Sequence, residues 1–79
     1  MKIEAQEIRT GDRFVYPKKF KGIKTAGTII RETDTDISDS CRKAVKKATL
    51  IVLDGKSKVI IPNKEVIIVS QRAQIKDED

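Results

Sequence analysis

Histidine is absent from the 79 residues, which removes the side chain that most often moves protons in catalysis. The single cysteine, Cys41, is followed by Arg42 and Lys43, cations that favour a thiolate. No base accompanies it in the sequence, so Cys41 is expected to be a structural thiol and not a nucleophile. Asp34, Asp36 and Asp39 form a D-x-D-x-x-D run. A calcium loop of the EF-hand type also needs a central glycine and a later bidentate glutamate, and neither stands at its position. A solvated acidic loop is the expectation. One cysteine without histidine provides neither a zinc set nor an internal disulfide. The chain is therefore expected to be no enzyme, and to use no cofactor and no metal.

What remains is the chemistry of cations beside aromatic rings. Lys18, Lys19, Lys21 and Lys24 surround Phe20 in the stretch KKFKGIKT, with Phe14 and Tyr16 just upstream. Lysines neutralise phosphates, and stacking on an aromatic ring contributes roughly 1–3 kcal/mol per base. Arg42, Lys43, Lys46 and Lys47 form a second basic group. Seventeen basic against twelve acidic residues leave a net charge of +5, and the excess sits in these two clusters. Clustered positive charge attracts polyanions, nucleic acid above all. Lysine also keeps β-rich proteins soluble and blunts sheet edges, so the two explanations compete. The nucleic-acid site is expected to comprise Lys18, Lys19, Phe20, Lys21, Lys24, Arg42, Lys43, Lys46 and Lys47.

The elements that must position these groups read as strands. Thr49 to Ser70, TLIVLDGKSKVIIPNKEVIIVS, holds three β-branched runs. Ala48–Leu53 is a predicted strand closed by the turn signal Asp54-Gly55. A four-residue loop, Asp54–Ser57, would place Val52 opposite Val59, Ile51 opposite Ile60 and Leu50 opposite Ile61, matching apolar residues on both faces. Pro62–Glu65 suits one tight 3₁₀-like turn, after which Val66–Val69 resumes the pattern. Upstream, Lys2–Ile8 reads as a short strand or a single helical turn, the strand being preferred. Arg9–Asp12 is a turn in which the aspartate bonds nearby backbone. Arg13–Tyr16 is a strand ended by Pro17, Lys18–Thr25 a loop, and Ala26–Thr33 a strand.

Between the strands, 34–47 is a long insertion. Cys41, Ala44, Val45 and Ala48 fall at helical spacing, and Ser38, Asp39 or Ser40 could cap a helix there. Two turns hold only with tertiary contacts, so a loop joining two strands is the alternative. The expected fold class is all-β, about five antiparallel strands in one domain. Its core spans 11–70, with 71–79 a frayed acidic tail.

This order of elements resembles the Src-homology-3-like (SH3-like) small barrel. VIIPNKEVIIV is similar to that fold's strand, 3₁₀ turn and strand ending. Within the superfamily, Gly11-Asp12-Arg13-Phe14-Val15, Lys21-Gly22 and Gly27-Thr28-Ile29 resemble the KOW-type nucleic-acid-binding module. The resemblance implies a small basic barrel whose lysine-rich loop binds nucleic acid. Barrels of this look are common among phage and bacterial proteins, where fold says little about role.

A rival function is protein binding. The strands carry apolar residues on both faces, more than one barrel interior can hold. Either Ile3, Ile8 and the Cys41–Ala48 segment cover this surplus, or Ile51, Leu53, Ile60, Ile67 and Val69 are the expected interface, for a protein partner or for a second copy in a homo-oligomer. A small regulator or inhibitor, such as a phage encodes, would work this way through an outer face or a sheet edge. The N-terminus lacks the apolar core of a signal peptide, and no apolar run approaches the ~18 residues of a membrane span. With its unpaired cysteine, the protein is expected to be cytoplasmic.

Overall fold

β-Branched and aromatic residues form the strands where the sequence concentrates them, and glycine, proline and aspartate separate them. The computed structural model describes residues 1–73. Six strands appear in chain order: β1 (Lys2–Glu4), β2 (Arg13–Val15), β3 (Lys24–Arg31), β4 (Ala48–Leu53), β5 (Lys58–Pro62) and β6 (Val66–Gln71). They pair antiparallel in one sheet of order β1-β6-β2-β3-β4-β5. The fold is all-β.

The sheet is open. β1 pairs only with β6 and β5 only with β4, so both are edges. Lys2–Ile8 combines the two conformations weighed for it. After Glu4 the chain leaves β1 for a 3₁₀ turn, Ala5–Glu7, that packs against β4 and β5. Ala5 N–H donates to the Glu65 carbonyl (2.8 Å) and Gln6 N–H to that of Asn63 (3.0 Å). A turn thus occupies the place where a longer β1 would have to close a barrel. Ala5 and Ile8 are buried in one cluster with Phe14, Tyr16, Ala26, Ile51, Leu53, Val59, Ile61, Ile67 and Val69, so the core begins upstream of Gly11.

The β4–β5 register corrects the predicted hairpin. Ile51 stands opposite Val59, Leu50 opposite Ile60, Thr49 opposite Ile61 and Val52 opposite Lys58. The loop is three residues, Asp54–Lys56, with Gly55 and Lys56 both at positive φ (82° and 73°). The Leu53 N–H closes it on the Ser57 carbonyl at 2.6 Å. Matching apolar residues on both faces treated the faces as equivalent. The register instead follows the core face, where Ile51, Leu53, Val59 and Ile61 are all buried. The next turn does take the expected form, Glu65 N–H donating to the Pro62 carbonyl at 3.0 Å.

Within 34–47 a short helix forms, α1 (Asp39–Ala44), capped by the Ser38 hydroxyl, which accepts from the Cys41 N–H at 3.1 Å. At the chain's other end, Gln71 belongs to β6 and the Ala73 N–H donates to Asp12 Oδ1 at 2.6 Å. Residues 71–73 are therefore anchored and not frayed; the remainder of the expected tail lies outside the described residues.

β3 is bent by a register shift between Ala26 and Ile29, where Gly27 allows close approach to β4. A Cβ at Gly27 would lie 2.8 Å from the Val52 carbonyl oxygen. Gly27→Ala should therefore cost about 1–3 kcal/mol of stability. Urea unfolding followed by circular dichroism checks this, and an unchanged midpoint would refute the close approach.

Candidate nucleic-acid interface

The lysine-rich segment does not hang free. Pro17 turns the chain out of β2, and the Tyr16 carbonyl accepts the N–H groups of Lys19 (2.9 Å) and Phe20 (3.0 Å). This turn brings the Phe20 ring back onto the core, edge-on to Phe14 (centroids 5.6 Å apart, planes at 80°) and to Tyr16 (6.3 Å, 70°). Such aromatic pairs contribute ~0.5–1.5 kcal/mol beyond their buried area. Phe20 is half-buried, while Phe14 and Tyr16 are buried.

Beside Phe20 lies an open groove of about 610 Å³. Lys19, Phe20 and Lys24 line it from the loop and the start of β3, and Lys58, Val59 and Ile60 line it from β5. Leu50 and Leu53 of β4 contribute further apolar surface, and Ser57 sits at the hairpin end. The lining thus holds three ammonium groups, an aromatic ring and no carboxylate. Polyanions are attracted to such a surface, and an apolar floor suits the faces of unpaired bases.

The other loop lysines are placed differently. Lys18 reaches the turn after β5 and pairs with Glu65 Oε2 at 2.7 Å. The hydrogen bond and charge of Glu65 raise the Lys18 pKa. The pair's contribution on the lysine side is therefore present at neutral pH and is lost as pH climbs through that raised value. Lys21 is exposed but outside the groove lining.

The second basic group does not join the first. Arg42 holds the turn after β3, its Nη1 donating to the carbonyls of Glu32 (2.7 Å) and Asp34 (2.9 Å). Lys43 and Lys46 border a smaller depression of about 340 Å³ shared with Glu32 and Asp39, which offset their charge. Lys47 is exposed, and its N–H donates to Glu32 Oε1 at 3.1 Å. Of the nine expected residues, the groove brings together Lys19, Phe20 and Lys24. Sequence reasoning missed Lys58 and Ser57, although Lys56-Ser57-Lys58 directly follows the Asp-Gly turn signal.

The expected apolar interface is corrected. Ile51, Leu53, Ile67 and Val69 are core residues, because their strand positions turn them into the buried cluster that holds Phe14. Among the five, Ile60 alone is exposed, at 43%. Val66 and Ile68 are also exposed, but β6 and β5 are not neighbours in the sheet.

Among the described residues, no group of three His, Cys, Asp or Glu side chains could hold a metal ion, and no helix is long and apolar enough to cross a membrane. Asp34 of the acidic run accepts the Arg31 N–H at 2.9 Å, a turn-closing bond. No protein-family model, curated protein or solved structure matches this chain.

Proposed function

We propose that this chain is a non-enzymatic module that binds single-stranded nucleic acid in the groove between Phe20 and β5. The observation that carries this function is the lining itself: Lys19, Lys24 and Lys58 around a half-buried aromatic ring, with no acidic side chain among them. The ammonium groups neutralise phosphates, while Phe20, Leu50 and Ile60 offer apolar surface to bases. In a duplex those base faces are stacked away, so a single strand is the better fit. The likeness of Gly11–Val15 and Gly27–Ile29 to the KOW-type module points the same way.

Fluorescence anisotropy of a labelled oligothymidylate, titrated with protein at increasing salt, tests this. Three phosphate contacts on a single strand predict a slope of about −2 in log K against log salt. The oligothymidylate should also bind more tightly than a duplex of equal length. Absence of binding at the lowest salt, or salt-independent binding, would overturn the proposal.

A further inference from the structure

Two main-chain hydrogen bonds fix which way the outer side of β5 points. Leu53 N–H donates to the Ser57 carbonyl at 2.6 Å, and Asn63 N–H to that of Lys47 at 3.0 Å. Both bonds continue the register in which Ile51 faces Val59 and Thr49 faces Ile61. Antiparallel ladders alternate hydrogen-bonded with non-hydrogen-bonded pairs. Ser57, Val59, Ile61 and Asn63 therefore turn their main-chain groups toward β4, and Lys58, Ile60 and Pro62 turn theirs away. β5 is the last strand on that side of the sheet. Among the described residues no other element bonds to the main chain of Lys58 or Ile60. Pro62 has no N–H, so the free edge carries donors at Lys58 and Ile60 only.

These same two residues line the groove, with Val59 between them. At Ile60, and again at Lys58, a donor and an acceptor lie side by side on the outer edge of the sheet. Residues two apart on a strand are ~6.8 Å apart. Stacked nucleotides advance only ~3.4 Å, so neighbouring stacked bases would not each meet one of these positions, whereas an unstacked, extended strand would. Nucleobases carry an acceptor beside a donor on their edges: thymine and uracil have a carbonyl next to the ring N–H, and adenine has an amino group next to a ring nitrogen.

We propose that the free edge of β5 reads bases, its Ile60 and Lys58 N–H and C=O groups hydrogen-bonding the edges of unstacked nucleobases whose phosphates Lys19, Lys24 and Lys58 hold. This inference rests on the nucleic-acid function proposed above and adds to it a base-dependent contact made by main chain. The charge of the lining selects an anionic partner for the edge. Between anionic partners, the half-buried Phe20 ring beside it favours bases over an acidic peptide strand.

Amide NMR of the full chain separates the outcomes, using an oligothymidylate, an abasic strand of equal length and an oligoglutamate as probes. The oligothymidylate should shift the Lys58 and Ile60 amides and slow their hydrogen exchange. The abasic strand should bind roughly tenfold more weakly and leave those amides in place. If the abasic strand binds equally well, or the Ile60 amide never responds, base reading is overturned while the groove remains a nucleic-acid site. If oligoglutamate protects the same amides and displaces the oligothymidylate, the edge takes a peptide strand and the inference is overturned. If neither strand binds, the nucleic-acid function itself fails, and this inference with it.

Discussion

Asp12→Ala is expected to lower the unfolding free energy by about 3–5 kcal/mol, the range for leaving a buried charge network without its partner. Asp12 is fully buried. Its Oδ2 accepts the Arg9 N–H at 3.0 Å and lies 3.3 Å from Arg72 Nε, while its Oδ1 accepts the Ala73 N–H at 2.6 Å. Its main chain is engaged as well, accepting the Ala26 N–H at 2.8 Å and donating to the Arg9 carbonyl at 3.0 Å. One side chain thus ties the turn before β2 to the segment that follows β6. Alanine leaves two main-chain donors and a half-buried guanidinium without their acceptor. A chain of this length has a total stability of roughly 4–12 kcal/mol, so the substitution removes a large share of it. Asp12→Asn keeps an acceptor oxygen and should cost less, about 1–3 kcal/mol. Urea unfolding followed by circular dichroism measures both. An alanine variant within about 0.5 kcal/mol of the parent, the usual scatter for neutral surface changes, would show that the carboxylate does not act as this clamp.

The role of Asp12 shows where the sequence was legible and where it was not. Its bond to nearby backbone follows from aspartate beside glycine in a turn, a local rule. Its hold on Ala73 depends on which strand lies beside β2, and local rules do not reach that far. The same divide runs through the molecule. Ala48–Leu53 was readable because β-branched residues run unbroken up to an Asp-Gly stop. The parity of VIIV at 66–69 was not, since both faces are apolar and only pairing with Ile3, Phe14 and Val15 decides which residues turn inward. Closure into a barrel failed for a related reason: nothing in Lys2–Ile8 announces that the strand stops after Glu4. At the site, Lys18 and Lys19 are indistinguishable in sequence, yet Glu65 takes one and the groove takes the other. Arg42 likewise differs from Lys43 only through the carbonyls its guanidinium meets.

Replacing Lys19, Lys24 and Lys58 together by glutamine is expected to weaken binding to a single strand by about 500-fold at ~50 mM salt, because each phosphate contact contributes roughly 0.9 decade under those conditions. The salt slope should fall from about −2 toward zero in the same experiment. All three side chains line the groove, none is fully buried, and none makes an ion pair among the described residues. The unfolding midpoint should accordingly stay where it is. The informative comparison removes the same charge elsewhere. Lys43, Lys46 and Lys47 lie outside the groove, two of them beside Glu32 and Asp39. Their replacement by glutamine changes only the long-range field, an effect that salt at ~50 mM screens beyond about 14 Å. Affinity should then fall by no more than about threefold. Lys18→Gln, which breaks the pair with Glu65, should likewise leave the salt slope unchanged. A loss from the α1-side triple as large as that from the groove triple would show that net charge governs binding, and that the groove beside Phe20 has no privileged part in it.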